Sequence, residues 1–273
     1  MRHIFISGVE IGKYALEELI NNDANVIAIF TSKKRTASDY ASFSGYNIPI
    51  YEVDNINSPE NVNLIKSMEP ELIWVIGWSR IIKQEILDIA PCIGSHPTLL
   101  PLYRGRAPIP NTILKGLKKS GTTLFYLDDG VDTGDILAQR EHEITDKDTA
   151  TTLYKKTIEE ICDMIRENLP LLESNKAPRI PQDHTKFLEY WEKRTPEDGL
   201  IDLSIGKENI YRLIRAVTRP YPGAFLYTKN RKLIIWGADY DKSSDTLTIK
   251  EIEWESENPQ SINITLECLT QNE

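Results

Sequence analysis

Residues 3–31 have the sequence HIFISGVEIGKYALEELINNDANVIAIFT, which places a helical pattern between two short apolar runs. The apolar runs, His3 to Ser7 and Val26 to Thr31, have the length of buried strands, and Tyr14 to Ile20 has helical spacing. A strand, a crossover helix and a second strand are typical of a parallel sheet. This stretch therefore predicts the first unit of an α/β fold.

The alternation continues in two later apolar runs, Leu72 to Gly77 and Cys92 to Ser95. We therefore predict a Rossmann-like, mostly parallel sheet domain over residues 1–180. Prolines and higher polarity at Pro178 to Pro181 indicate a linker. Beyond it, residues 181–273 predict a small, mostly-β C-terminal module, with a helical pattern followed by antiparallel strand patterns.

Composition restricts the function classes. The 273 residues carry a formal net charge of -9, with a pI near 5.1. Such a chain is poorly suited to hold long nucleic acid by counterion release, so we expect small-molecule partners and no nucleic acid. The apolar runs are far shorter than the roughly 20 residues that span a bilayer, and no signal-peptide pattern precedes the first strand. A cytoplasmic protein without a membrane partner is expected.

Three cysteines, Cys92, Cys162 and Cys268, are widely separated in the chain. They lack the paired close spacing of zinc sites and the density of disulfide scaffolds. Reduced, mostly buried thiols and no bound metal are expected.

His96 ends a predicted strand and is followed at once by a loop rich in proline and glycine, in residues 94–108, GSHPTLLPLYRGRAP. Open α/β sheets bind ligands at the carboxyl ends of their strands. A histidine there exchanges protons near neutral pH. On position alone, a catalytic and a structural histidine are equally favoured.

A second segment, residues 127–137 with the sequence LDDGVDTGDIL, packs four carboxylates and two glycines into one turn between predicted strands. A solvated turn is the simplest interpretation. The spacing does not match the twelve-residue calcium loop. Because clustered acids repel one another, some of these aspartates need partners.

Together, these two segments resemble the formyltransferase family that includes methionyl-tRNA, glycinamide ribonucleotide and nucleotide-sugar formyltransferases. The family signature is similar to Asn-x-His, then Leu-Leu-Pro-x-x-Arg-Gly, then Asp-x-Gly-x-Asp-x-Gly. Nearly all of it is matched by His96, Leu99-Leu100-Pro101, Arg104-Gly105 and residues 128–134. The resemblance covers roughly residues 1–170 and, more weakly, residues 215–225.

The resemblance implies N10-formyltetrahydrofolate as donor, a primary amine as acceptor and no metal. His96 would accept a proton from the attacking amine or, once protonated, stabilise the oxyanion, while Asp132 orients the imidazole and favours its charged form. Donor-binding positions are implied at Trp78, Ser79, Arg80, Ile81, Asp128 and Gly130. Trp74, inside a predicted strand, is interpreted as core.

One position departs from the family pattern, because Gly94 stands where the family has asparagine. Strand alternation puts residues 94 and 96 on one face and Ser95 on the other, so Ser95 is a poor replacement. Losing an oxyanion donor typically lowers turnover by about 10²–10³. We expect a backbone N–H, a water or Asn111 to replace the amide.

The later segments of the chain bear on which amine accepts the formyl group. Residues 251–273 contain six carboxylates and no lysine or arginine, which disfavours RNA. Residues 193–202 and 214–225 are similar to nucleotide-sugar N-formyltransferases, which implies an amino-deoxysugar carried on UDP or dTDP, for a surface glycan such as lipopolysaccharide. Substrate-binding residues are expected at Gly8, in the first strand-to-helix turn, and at Arg104, Arg194, Arg215, Tyr221 and Phe225.

Four alternatives stay open beside this hypothesis. They are a methionyl-tRNA formyltransferase, a glycinamide ribonucleotide enzyme, which the length disfavours, a formyltetrahydrofolate hydrolase and a non-catalytic binding protein of the same fold. The intact His96 and Asp132 argue against the last.

A basic run, Lys33-Lys34-Arg35, follows the second strand. Cations at this position can face the phosphates of a ligand, but a solvated surface run is the simpler interpretation. A strand pair in the C-terminal module predicts a homodimer contact.

Overall fold

The computed structural model describes residues 1–33, 40–228, 231–255 and 257–270, so Lys34 and Arg35 of the basic run lie outside it. Two compact units account for the chain. The first unit comprises Met1–Gly105, Ser120–His142 and Lys155–Tyr190, and the second comprises Arg106–Lys119, Glu143–Tyr154 and Trp191–Glu273. The predicted division of the chain at residue 180 stays a prediction.

A seven-stranded sheet organises the first unit, in the order β3-β2-β1-β4-β5-β7-β8. Its strands are Arg2–Ile6 (β1), Asn25–Ser32 (β2), Ile50–Val53 (β3), Leu72–Val75 (β4), Cys92–His96 (β5), Lys119–Tyr126 (β7) and Ile136–Glu143 (β8). The short strands Tyr103–Gly105 (β6) and Glu189–Trp191 (β9) form a separate pair. The helices are Glu10–Asn21 (α1), Pro59–Ser67 (α2), Gln84–Leu87 (α3) and Ala150–Glu173 (α5).

Pairing within the large sheet confirms the predicted fold class. The four pairs β1 with β2, β1 with β4, β2 with β3 and β4 with β5 are parallel, whereas β5 and β7 run antiparallel. Ile4, Phe5 and Ile6 are fully buried, as expected for a central strand that is covered on both faces. The carboxyl ends of the parallel strands therefore meet at one edge of the sheet, where the first unit can hold a ligand.

Gly12 allows α1 to approach β1 closely. A Cβ on residue 12 would lie 1.8 Å from the Oγ of Ser7, a distance that no side chain tolerates. By contrast, a Cβ on Gly8 would make only ordinary contacts, the nearest being 3.8 Å from Ser32 Cβ. The first turn therefore requires glycine at position 12 for packing, and position 8 has space beside it.

The second unit carries a four-stranded antiparallel sheet, which confirms the small, mostly-β C-terminal module. Its strands, in the order β10-β11-β12-β13, are Ala224–Thr228 (β10), Arg231–Asp241 (β11), Thr246–Trp254 (β12) and Gln260–Thr265 (β13). The helices of this unit are Pro108–Leu114 (α4), Lys207–Val217 (α6) and Leu266–Thr270 (α7). One face of α6 buries Ile210, Leu213 and Ile214.

The three cysteines are all free, but the expectation that they are mostly buried was wrong. Cys92 is buried in β5, Cys162 is half-buried and Cys268 is exposed on a short helix near the end of the chain. Burial raises the pKa of the Cys92 thiol to about 12 and that of Cys162 to about 11. Within the described part of the chain, no helix has the length and apolarity needed to cross a bilayer.

Candidate active site

His96 is the last residue of β5 and is held in the carboxyl edge of the sheet. Its side chain is buried, with 5% of the residue exposed. Nδ1 lies 3.6 Å from the Oδ2 of Asp132, whereas the buried Nε2 has no hydrogen-bond partner. The structure therefore brings the two predicted catalytic residues together and leaves one ring nitrogen available to a ligand.

The backbone of the loop between β7 and β8 aims Asp132 at His96. Asp132 adopts a left-handed conformation with φ of 54°, and its Oδ2 accepts a hydrogen bond from the Gly105 N–H at 2.9 Å. Gly134 lies so close to the Tyr126 carbonyl oxygen that an added Cβ would stand 1.8 Å from it. These constraints fix the position of the carboxylate.

Asp128 and Gly130, predicted to bind the donor, occupy the exposed tip of the same loop. Oδ1 of Asp128 accepts hydrogen bonds from the Gly130 N–H at 3.2 Å and from the Thr133 hydroxyl at 2.6 Å. Such local bonds are typical of an Asx turn. In this structure Asp128 therefore stabilises the turn, and its Oδ2 is not used in these bonds.

Burial sets the protonation state of His96. Desolvation lowers the pKa of the imidazole below its ordinary value of 6.5, and the positive charge of Arg104 lowers it further. The nearby Asp132 carboxylate and a hydrogen bond to the Tyr103 backbone raise the pKa, but by less than desolvation lowers it. A neutral imidazole at pH 7 follows, because desolvation has the largest effect. In this form His96 is able to accept a proton at a ring nitrogen.

Arg104 connects the loop after β5 to residues 182–187, which the sequence predicted as the start of the C-terminal module. Its side chain is buried, and one terminal nitrogen donates to Gln182 Oε1 and to His184 Nδ1, both at 2.8 Å. The guanidinium lies over the Phe187 ring, 5.4 Å from its centroid. The buried Nε of Arg104 has no partner.

Gln182 is a site residue that the sequence analysis missed. Its amide donates to the carbonyl oxygens of Asp132 at 3.0 Å and of Gly134 at 2.7 Å, so it ties the aspartate loop to Arg104. In the sequence, only the two polar residues Gln182 and His184 directly after the proline-rich stretch could have indicated hydrogen bonding by this segment.

Replacing Arg104 by lysine should loosen this network, since a lysine has no planar group to stack on Phe187 while contacting Gln182 and His184. We expect the variant to lose about 1–3 kcal/mol of unfolding free energy and to have a lower catalytic rate. Urea titration and steady-state rates measure both effects. Arg106→Lys, two residues along at an exposed position, is the matched control. Unchanged stability in the Arg104 variant would contradict the role given to this network.

The predicted donor loop follows β4. Trp78 is half-buried, and its indole Nε1 is buried without a partner. Arg80 lies over the Trp78 ring at 5.6 Å from the centroid and donates to the Ser32 hydroxyl at 3.2 Å. Ser79 is exposed, and Ile81 is 70% exposed. Trp74, by contrast, is fully buried and donates to His3, which confirms its interpretation as core.

Unpartnered polar atoms are concentrated at the carboxyl edge of the sheet. Six buried side-chain nitrogen or oxygen atoms of the described residues lack a hydrogen-bond partner, and four belong to Ser7, Thr31, Trp78 and His96. Each lies within three residues of the carboxyl end of one of four adjacent parallel strands, β1, β2, β4 and β5. Because an unpaired buried group costs about 1–3 kcal/mol, their concentration here marks a ligand site.

Four predicted substrate-binding residues belong to the second unit. Arg194 is half-buried and donates to the Asp198 carbonyl oxygen at 3.0 Å, and the half-buried Tyr221 donates its N–H to Thr218. Phe225, in β10, is only 5% exposed, with Lys232 Nζ 4.0 Å from its ring centroid. Arg215 is buried near the end of α6 and lines a cavity of this unit.

The space beside Gly94 is filled by Leu127. A Cβ on residue 94 would lie 2.5 Å from Leu127 Cδ2 and 3.4 Å from the ring of Phe125. Asn111, considered as a replacement for the family's amide, belongs to the second unit and donates to the Arg106 carbonyl oxygen at 3.0 Å. An asparagine at position 94 therefore requires a rearrangement of Leu127.

Gly94→Asn is expected to bring no large gain in rate, because the new side chain must first displace Leu127. Overpacking of this kind lowers stability by about 1–3 kcal/mol, which thermal unfolding would detect. The double variant Gly94→Asn, Leu127→Ala provides the space and serves as the control. A large rate gain in either variant would show that the wild-type site lacks an oxyanion donor and is slow for that reason.

No group of three or more histidine, cysteine, aspartate or glutamate side chains is placed to hold a metal ion among the residues with described positions.

Two protein-family models match this chain. The family model described as formyl transferase matches residues 4–167, and the model described as formyl transferase, C-terminal domain matches residues 193–252.

Among curated proteins, the bifunctional polymyxin resistance protein ArnA of Wigglesworthia glossinidia brevipalpis is 36% identical over 247 residues. The match covers 86% of this chain and 37% of that protein, so the chain spans little more than a third of its length.

Two solved structures show the same fold at low identity. A sugar N-formyltransferase from Shewanella sp FDAARGOS_354 is 20% identical with a TM-score of 0.71, over 86% of this chain and 96% of that one. HypX from Aquifex aeolicus in complex with tetrahydrofolic acid is 17% identical with a TM-score of 0.70, over 98% of this chain and 46% of that one.

Proposed function

This chain belongs to the formyl transferase family, and we propose that it moves a formyl group from N10-formyltetrahydrofolate to the primary amine of a nucleotide-linked amino-deoxysugar. The observation that carries this proposal is the buried His96, whose Nδ1 faces Asp132 and whose Nε2 has no partner. Proton transfer from an attacking amine needs a neutral base of this kind at a ligand-binding edge.

The residues at the carboxyl edge fit a folate. The indole N–H of Trp78 and the hydroxyls of Ser7 and Thr31 are buried and unpartnered, so they can bond to polar atoms of a flat heterocycle. We propose that Trp78, Ser79, Arg80 and Ile81 contact the donor from one side, and that Asp128 and Gly130 contact it from the aspartate loop. When bound, the folate supplies the formyl group.

His96 would manage the proton. As the amine nitrogen bonds to the formyl carbon, Nε2 accepts the proton that this nitrogen loses, and His96 returns it to the leaving nitrogen of the folate. Asp132 stabilises the imidazolium that exists between these two transfers. The protonated ring also offsets the negative charge that develops on the formyl oxygen, which lessens the demand for the absent asparagine amide.

The choice of acceptor rests on several features. The relative at 36% identity carries a polymyxin-resistance name, and a neighbour in fold is named as a sugar N-formyltransferase. The acidic final segment disfavours RNA. We propose a UDP- or dTDP-linked sugar as substrate in surface glycan synthesis, by a cytoplasmic homodimer. Gly8, Arg104, Arg194, Arg215, Tyr221 and Phe225 are the proposed contacts to it.

The deciding experiment incubates the protein with N10-formyltetrahydrofolate and a panel of UDP- and dTDP-linked amino sugars. Mass spectrometry scores formylated sugar, and a coupled assay scores released formate. Formylated sugar supports the proposal. Formylation of charged methionyl-tRNA without sugar turnover, formate release alone, or no turnover would each overturn it, in favour of a tRNA formyltransferase, a hydrolase or a binding protein respectively.

A further inference from the structure

The second unit contains a cavity of about 700 Å³, and all of its lining residues belong to this unit. Residues 146–149, α6, β11 and the turn after β11 line it. Cavities of roughly 300–1,000 Å³ are typical of small-molecule and cofactor sites. The cavity is therefore large enough for a nucleotide.

Arg215 provides a buried positive charge in the cavity wall. Only 8% of the residue is exposed, one terminal nitrogen donates to the Asp148 carbonyl oxygen, and the guanidinium lies over the Tyr211 ring at 4.8 Å from the centroid. The buried Nε has no hydrogen-bond partner. Burial lowers the pKa of Arg215, and the carboxylates of Asp146 and Asp148 act on its charge in the opposite direction. A buried cation in this state is favourably completed by an anion.

The carboxylates around the cavity already have cationic partners. Glu208 lies 3.5 Å from Arg212 and 3.9 Å from Lys242. The lining residues Asp146 and Asp239 pair with lysines that do not line the cavity. Lys118 contacts Asp146 at 2.7 Å and Lys250 contacts Asp239 at 3.4 Å. Lys147 and Arg215 are the lining cations that have no ion-pair partner in the described chain. The unbalanced charge of the pocket is positive.

Aromatic rings stand beside these cations. Tyr211 and Tyr240 contact each other with ring centroids 6.0 Å apart, and Trp236 also lines the cavity. Arg219 covers one side of the Trp236 ring, and the indole N–H donates to Glu253 at 2.8 Å, which fixes the ring plane. Rings held in this way are suited to stack on a planar group.

We propose that this pocket binds a nucleoside diphosphate, with Arg215 and Lys147 on the phosphates and Tyr240 and Trp236 against the base. The choice of ligand rests on the proposed function, since the proposed acceptor carries such a group. A diphosphate supplies oxygens that can bond directly to the Arg215 guanidinium, and guanidinium groups bind phosphate oxygens through several N–H donors.

Titration of the full chain with UDP and with dTDP, in the absence of folate, tests the proposal by calorimetry and by tryptophan fluorescence. We expect binding of at least one nucleotide, with Kd raised about tenfold or more in Arg215→Gln and in Lys147→Gln. Lys147 is exposed, so its variant keeps the test valid if the Arg215 variant does not fold. Arg231→Gln, an exposed arginine of the same unit paired with Glu257, is the matched control.

Several results would overturn the proposal. The first is no binding of either nucleotide, and the second is binding that neither pocket variant weakens. The third is inorganic pyrophosphate that binds as tightly as the nucleotides, because the base would then contribute nothing to affinity. His96→Asn should abolish formyl transfer and leave nucleotide Kd unchanged. Failure of the acceptor hypothesis appears as lack of formylated sugar, whereas failure of the pocket assignment appears in Kd, so the two are distinguishable.

Discussion

Replacing His96 by asparagine is expected to lower kcat for formyl transfer by about 10²–10⁴-fold, the range typical of a lost general base. Asparagine is polar and smaller than histidine, so it fits the buried position, but its neutral amide cannot take up a proton from the amine. Stopped-flow or quenched single-turnover assays at saturating donor separate this loss from weakened binding.

The matched control is Ser95→Ala, on the same strand and the opposite face. It should retain most of the wild-type rate. Donor affinity in the His96 variant, measured by folate fluorescence, should change little, because the proposed role concerns the proton and not the binding of the folate. A variant with kcat near that of wild type would remove His96 from the chemistry.

The second large effect concerns Asp132 and pH. Burial places the pKa of His96 below 6.5, so the neutral base persists to lower pH, and activity should fall only as pH drops through that lowered pKa. Asp132 opposes the lowering. In Asp132→Asn this opposition is lost, so the pKa of His96 should fall further and the acid limb of kcat/KM should move to lower pH.

The same variant is expected to be slower at every pH, by roughly 10²-fold or more, because the imidazolium formed during transfer loses its neighbouring negative charge. Asp129→Asn, in the same loop and exposed, is the control and should keep both rate and pH profile. An acid limb that moved to higher pH in Asp132→Asn would contradict the electrostatic relation between the two residues.

Much of the first unit was predictable because its signals are local. Apolar runs of strand length alternate with helical spacing from His3 onward, and strand ends gather at one edge by a general property of parallel sheets. The pair His96 and Asp132 was found because both lie in compact, unusual segments that match a family signature. Their contact then required only that the two loops meet at the edge where β5 ends.

Gln182 and His184 could not be found in this way. Gln182 contacts Arg104 across a separation of 78 residues, and His184 contacts it across 80. The sequence around either residue does not indicate such a distant contact. Phe225 is a different case. Its motif predicts stacking on a base, and the structure shows a ring that is 5% exposed with Lys232 over it, so its role in binding stays a prediction.

The two hydrogen bonds from Gln182 to the aspartate loop bear on how this protein can be divided. A fragment ending at residue 180 would keep every residue of the seven-stranded sheet, His96 and Asp132, and yet would lose the amide that holds the backbone of Asp132 and Gly134. Such a fragment could fold and still hold Asp132 poorly against His96. For truncation and chimera experiments, the piece that contains the proposed active site should extend past the prolines to include the segment through Phe187.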